Sequence, residues 1–289
     1  MKVLVLGKSG QVARELAALS GGAVQVDCMG RDEADLTTGD GVAEAERRLS
    51  KGYDAVVNAA AFTAVDRAET EQDAATMLNV IAPSALSRAA HRAGVPFVHI
   101  STDYVFPGTG DAPWTETDRV VPLNTYGRSK ASGEETVLGS MAPCAILRTS
   151  WVFSAHGSNF VKTMLRLSET KDALSVVSDQ IGGPTPARAI AEASVRIASR
   201  LRVDPGLSGV YHFAGAPDVS WADFAREVFR QAGRSVQVTD IPTAEYPTPA
   251  ARPLNSRLDC GKIEAAFGIA RPDWKAGLAD VLATLGAKA

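Results

Sequence analysis

Short apolar runs alternate with amphipathic stretches through the first half of this chain, and that alternation limits what it can fold into. Val3-Leu4-Val5-Leu6 is apolar and rich in β-branched residues, and it breaks at once into Gly7-Lys8-Ser9-Gly10. Such a run reads as a parallel strand buried on both faces. Val12, Leu16 and Leu19 follow at helical spacing. Residues 24–27 read as a second strand, 42–49 as a helix and Ala55-Val56-Val57-Asn58 as a third strand. Residues 71–93 are helical in composition. Residues 96–100 form another strand, which delivers Ser101-Thr102-Asp103 to its carboxyl end. A helix over 124–139 and a strand over 145–148, ending at Thr149-Ser150-Trp151, complete the series. Strands alternating with helices predict an α/β fold, a Rossmann-type doubly wound parallel sheet. Its ligands sit beyond the strand carboxyl ends, where the polar residues of this sequence fall.

Beyond residue 150 the pattern loosens. A loop over 179–186 precedes a helix over 187–199, a strand over 209–213, a capped helix over 219–232 and a proline-rich stretch over 241–257. We expect a main dinucleotide-binding region over 1–150. Residues 151–289 are expected to complete the core and to form a smaller C-terminal substrate lobe; 289 residues suffice for both. A net charge of −3 with no long basic run argues against nucleic acid. Cys28, Cys144 and Cys260 form no CxxC pair, and the four histidines form no HxxxH or HExxH, so no metal site is expected. The first apolar run is too short for a secretory signal, and no stretch suits a membrane span. The expected location is the cytoplasm.

Gly7 and Gly10, with the small Ala13 at the third position of GxxGxxG, put backbone N–H groups at a helix N-terminus that can accept a pyrophosphate. Asp27, after the second strand, is the residue type that binds ribose hydroxyls, and Arg31 suits a 2′-phosphate. The pair leaves NADH and NADPH both open. Asp35-Leu36 flanks an adenine or caps a helix. Ala60, Ala61 and Thr63 follow the third strand and allow close approach of a cofactor.

Tyr126 and Lys130 stand four residues apart in Tyr-Gly-Arg-Ser-Lys, on one helix face. A phenol can protonate an oxygen as hydride reaches its carbon, and a nearby ammonium favours the resulting phenolate. Thr102 offers a second hydroxyl to the same oxygen. Asp103 orients a substrate hydroxyl or caps the next turn. Trp151 is a core or lid residue, or shapes a sugar pocket. Arg252 binds a diphosphate or ties the small lobe to the sheet.

These segments resemble the dTDP-4-dehydrorhamnose reductases of the extended short-chain dehydrogenase/reductase family over nearly the whole chain. The match lies in Gly7–Val12, Asn58–Asp66, Ser101–Gly108, Pro122–Lys130, Arg148–Phe153 and Arg252–Ser256. The resemblance implies NAD(P)H-dependent reduction of the C4 carbonyl of dTDP-4-dehydro-β-L-rhamnose. It implies Tyr126 as proton donor, Lys130 on the nicotinamide ribose and Thr102 on the carbonyl. Gly10, Gln11 and Val12 would line the pyrophosphate; Asp35, Leu36, Ala61, Phe62, Thr63 and Ile100 would complete the cofactor groove. Thr102, Asp103 and Trp151 would meet the deoxysugar. Some members form homodimers around a magnesium ion. Glu15 fits one position of that site, but Pro186-Ala187-Arg188-Ala189 stands where another acid is expected, which weighs against magnesium and that dimer. The rival readings are a reductase or epimerase of another nucleotide sugar and a non-catalytic nucleotide-binding subunit.

Overall fold

A computed structural model describes residues 1–287. The first half runs β1 (Lys2–Leu6), α1 (Gln11–Ala18), β2 (Gln25–Met29), α2 (Gly39–Leu49), β3 (Ala55–Asn58), α3 (Val65–Ala68), α4 (Gln72–Thr76), α5 (Ala82–Ala93), β4 (Phe97–Thr102), α6 (Thr125–Leu138) and β5 (Cys144–Thr149). A π-helical turn, Met77–Ile81, joins α4 to α5. The second half runs β6 (Val152–Phe153), α7 (Phe160–Leu167), β7 (Ala173–Val177), β8 (Ile181–Gly182), β9 (Thr185–Pro186), α8 (Ala187–Val203), β10 (Gly209–His212), β11 (Val219–Ser220), α9 (Trp221–Gln231), β12 (Gln237–Ile241), β13 (Asn255–Ser256), α10 (Gly261–Phe267) and α11 (Trp274–Thr284).

The central sheet has six strands in the order β10-β5-β4-β3-β1-β2, every neighbouring pair parallel. The chain reverses its direction of travel between β1 and β3, and that switch point opens a crevice at their carboxyl ends. Successive strand residues face opposite sides. Val3, Val5, Val57, Val98 and Leu147 pack with Leu16, Ile190 and Ile197 on one side. Leu4, Leu6, Val56, Phe97 and Ile146 pack with Val42, Leu49, Leu86 and Val137 on the other. Both faces are therefore covered by helices, which is why these strands carry unbroken apolar runs. A separate cluster of Phe153, Val161, Phe224, Phe229, Trp274 and Leu278 forms the smaller lobe.

The expected strands and helices of the first half appear, with two useful changes at their ends. β2 runs to Met29 and β4 to Thr102, each two residues beyond the sequence reading. In the second half the parallel ribbon β7–β12 and the helices α7, α10 and α11 have no counterpart in that reading. β7 and β12 are half-exposed, and their Leu174 and Val238 reach the apolar cluster only because α9 lies against them. No helix among the described residues is long and apolar enough to cross a membrane.

Under the sheet's carboxyl edge lies a buried ion pair. Glu134 on α6 and Arg148 on β5 are both 4% exposed, with Nη2 donating to Oε2 at 2.6 Å. Ser101 donates to the same carboxylate. Removing one partner of such a pair strands the other charge in a low-dielectric interior. We expect Glu134→Ala to cost about 3–5 kcal/mol of unfolding free energy. Urea unfolding measures this, and a loss below about 1 kcal/mol would place the pair among ordinary surface bridges.

Candidate active site

The site is built from the carboxyl ends of β1, β3 and β4 and the first turns of α6. Gly7 adopts φ +112°, a left-handed conformation that disfavours a side chain. A Cβ there would also press on the Ala59–Ala60 backbone at 3.3 Å. At Gly10 a Cβ would meet nothing, because that residue borders open space. A groove of about 560 Å³ runs from Gly7–Gly10 past Gly30–Asp32 and Asp35–Leu36 to Ala59–Ala61 and Thr63. The open cradle at Gly10, the uncapped first N–H groups of α1 and the small alanines fit a dinucleotide.

Several expected groove residues take their places and others do not. Arg31 is largely exposed on the groove wall, 3.7 Å from Asp35. Asp35 lines the groove but also accepts from Thr37 N at 3.0 Å and Thr37 Oγ1 at 2.7 Å, bonds that hold its pKa down. Leu36 is buried beneath it. Asp27 does not reach the groove. Because β2 continues to Met29, Asp27 lies mid-strand, opposite Leu4, and its carboxylate accepts from Arg48 at 2.6 Å and from Tyr53. Besides Asp35, the acidic group at the groove is Asp32, paired with Lys8 at 3.1 Å. Gln11 spends its side chain on the second half of the chain, donating to Val152 O at 3.3 Å and accepting from Asn159 at 2.9 Å. Val12 packs on the core. Phe62 lies beside the groove, its backbone clasped by Asn79 through bonds of 2.8 and 3.1 Å.

At the chemical end, Asn124 caps α6 by accepting from Gly127 N at 2.8 Å. Glu69 accepts from Thr125 N and Oγ1, both at 2.8 Å. A Cβ at Gly127 would collide with the Tyr104 carbonyl, so glycine lets the helix start against the turn after β4. Tyr126 packs edge-on against Tyr104, with ring centroids 5.6 Å apart. Burial raises the Tyr126 pKa; the neighbouring Thr102 hydroxyl opposes that and the Asp103 charge adds to it. Thr102 Oγ1 donates to Asp103 Oδ1 at 3.1 Å and accepts from Tyr104 N at 3.2 Å. Asp103 is 3% exposed, and its Oδ2 has no hydrogen-bond partner among the described residues. Burial pushes its pKa up to about 7, against the lowering effects of Ser256 and Thr102.

Lys130 is buried and turned toward β4, where Nζ donates to Ile100 O at 2.7 Å and faces His99 Nε2 at 3.2 Å. Burial brings its pKa down to about 8, while Glu134 raises it. The expected acidification of the phenol by Lys130 is not present here. Burial, Thr102 and Asp103 set the Tyr126 pKa, while Lys130 directs its Nζ to Ile100 O and His99 instead.

Trp151 has φ +48°, a strained conformation for a bulky residue. Its indole stacks on Trp221 at 3.6 Å, and Gly182 leaves room for it, since a Cβ there would lie 2.9 Å from the ring. Arg252 donates to Asp66 Oδ2 at 2.7 Å, so it ties the late loop to α3 while its charge still acts on Tyr104. His99, Tyr104, Trp221 and Ser256 join the site unassigned by the sequence reading, although Tyr104 and Ser256 lie within the matched segments Ser101–Gly108 and Arg252–Ser256. Glu15 lies 3.5 Å from His156, and Arg188 pairs with Glu192 at 2.7 Å. The described residues contain no group of three or more acidic, histidine or cysteine side chains suited to a metal.

A family model described as the RmlD substrate binding domain matches residues 1–287. The sequence is 46% identical to a dTDP-4-dehydrorhamnose reductase of Sinorhizobium fredii, over 95% of this chain and 94% of that relative. The backbone is similar to that of a dTDP-4-dehydrorhamnose reductase from Clostridium acetobutylicum, with TM-score 0.89, 38% identity and coverage of 99% and 100% of the two chains. It is equally similar to the Bacillus anthracis dTDP-4-dehydrorhamnose reductase in complex with NADP, with TM-score 0.89, 31% identity and coverage of 98% and 99%.

Asp103 carries a pH signature. With its pKa raised from 3.8 to about 7, the folded chain keeps a proton that the unfolded chain releases near pH 4. Stability therefore falls as pH rises between those values. Asp103→Asn, neutral throughout, is expected to match the parent near pH 4 and to exceed it above pH 7. Urea titrations at the two pH values check this, and parallel behaviour of the two proteins would mean an ordinary carboxylate.

Proposed function

The chain belongs to the family of the RmlD substrate binding domain and the dTDP-4-dehydrorhamnose reductases, and from that premise we propose that it reduces the C4 carbonyl of dTDP-4-dehydro-β-L-rhamnose to give dTDP-β-L-rhamnose. The observation that carries this reading is the meeting of Thr102, Asp103 and Tyr126 beside an open dinucleotide groove. Bound NAD(P)H supplies the hydride. Tyr126 gives its phenolic proton to the carbonyl oxygen, and the Thr102 hydroxyl, turning from Asp103, donates a hydrogen bond to the same oxygen as charge develops there. Asp103 holds a sugar hydroxyl with Oδ2, which has no partner among the described residues. The stacked Trp151 and Trp221 wall the sugar pocket. Lys130 serves the ribose and the phenolate that remains after proton transfer. Residues 1–150 carry the cofactor, and residues 151–287 complete the sheet and cover the sugar.

The exposed Arg31 favours the phosphate of NADPH, in keeping with the NADP bound by the Bacillus anthracis relative. The magnesium-bridged dimer forms no part of this reading, because Arg188 already pairs with Glu192.

The deciding assay is oxidation of NADPH and of NADH with enzymatically generated dTDP-4-dehydrorhamnose, followed by identification of the sugar. Deuterium entering C3 or C5 from solvent would favour an epimerase instead. Tyr126→Phe is expected to lower kcat by about 10²-fold or more with little change in cofactor affinity, since the lost bond matures in the transition state. Near-normal turnover would remove Tyr126 from its role. Arg31→Ser is expected to raise KM for NADPH by about tenfold and leave that for NADH alone. Equal effects on both would place Arg31 outside 2′-phosphate recognition.

A further inference from the structure

We propose that His99 is a positioning residue for Lys130, in a buried Asn58–His99–Lys130 chain where the protonation of the amine and the tautomer of the imidazole change together. The proposal deepens the reading of Lys130 given above and rests on it.

Asn58, His99 and Lys130 are 2%, 0% and 1% exposed. Asn58 Oδ1 accepts from Ala60 N at 3.2 Å, so its Nδ2 is left to donate to His99 Nδ1, 3.0 Å away. Burial, reinforced by Lys130, holds the imidazole well below its ordinary range, and the ring is neutral with a single N–H. With Nδ1 accepting, that N–H sits on Nε2, which faces Lys130 Nζ at 3.2 Å. An ammonium at Nζ would set N–H against N–H. A neutral amine resolves the conflict, because its lone pair accepts from Nε2 while it still donates to Ile100 O at 2.7 Å.

The ammonium state needs the opposite arrangement. The imidazole must then carry its proton on Nδ1, and the Asn58 amide must turn so that Oδ1 accepts it, at the expense of the bond from Ala60 N. The two states differ by one proton on Lys130 and two reoriented groups. Burial places the Lys130 transition at about 8, so both states are close to neutrality. The other ionisable groups around this turn are Glu134, already held by Arg148 at 2.6 Å, Tyr126 one turn earlier, and Asp103 and Tyr104 after β4. None of them hydrogen-bonds Nζ among the described residues. A buried amine lacking a donor would be left unsatisfied each time Lys130 is deprotonated, and His99 supplies that donor.

The test uses the full-length enzyme with ¹⁵N-labelled histidine and no sugar, the His99 signals being assigned by their loss in His99→Gln. We expect the Nε2–H tautomer well above pH 8 and the Nδ1–H tautomer well below it, with the change centred near the Lys130 transition and abolished by Lys130→Met. A single tautomer across that range overturns the proposal. In the reduction assay, His99→Leu is expected to move the ionisation seen in kcat/KM by about one pH unit and to lower kcat about tenfold, with KM for the sugar nearly unchanged. His99→Gln, which keeps an N–H toward Nζ, is expected to restore much of the profile. An unmoved pH profile in His99→Leu also overturns the proposal. The tautomer measurement needs no turnover, so a protein that switches tautomer yet fails to reduce the sugar would defeat the assigned reaction and leave the His99 chain intact.

Discussion

Desolvation at the carboxyl end of β4 is the constraint from which the rest of this molecule follows. The strand is covered on both faces, yet its last residues include His99, Ser101 and Thr102, and Asp103 follows at once. Each must find a partner inside the protein. Ser101 binds the Glu134–Arg148 pair, His99 lies between Asn58 and Lys130, and Thr102 binds Asp103. Among the described residues Asp103 Oδ2 is left without a partner, as is Thr149 Oγ1 on the neighbouring strand. A buried strand that ends in polar residues is costly unless the surrounding helix answers it, and α6 answers with Tyr126, Lys130 and Glu134 one turn apart.

That arrangement depends on close backbone approach. Gly133 lets α6 lie against the Asn79 carbonyl, which a Cβ would meet at 2.0 Å. The π-helical turn at Met77–Ile81 carries Asn79, whose side chain then reaches both Phe62 and Ser129. Phe62 beside the groove, the start of α5 and α6 are thereby joined through a single amide. The second half of the chain closes the site from above: β13 brings Ser256 toward Asp103, and Arg252 anchors its loop to Asp66. Trp151, strained and stacked on Trp221, follows β5 closely and packs on the smaller lobe's apolar cluster.

The residues legible in the sequence were those carried by local patterns. The glycine turn, the tyrosine and lysine one turn apart, and the polar triplet after an apolar run each show in a few consecutive letters. Asp27 misled because a strand end is not written in its own residues: β2 continues through Cys28 and Met29, and the two-residue extension hands Asp27 to Arg48 and Tyr53. Lys130 was legible as a member of the site but not in its direction, since the atoms it faces, Ile100 O and His99 Nε2, lie some thirty positions away. The ribbon β7–β12 was silent because neither strand alternates strongly and both take their stability from α9.

What the sequence by itself determined was the parallel sheet, the crevice at its switch point and the chemical types gathered there, because hydrophobic period and glycine placement act over a few residues. What only the tertiary structure decided was the electrical state of those groups. Burial makes Tyr126 and Asp103 weaker acids and Lys130 a weaker base. Burial is a property of everything packed around a side chain, and so it is written nowhere in that side chain's own stretch of sequence.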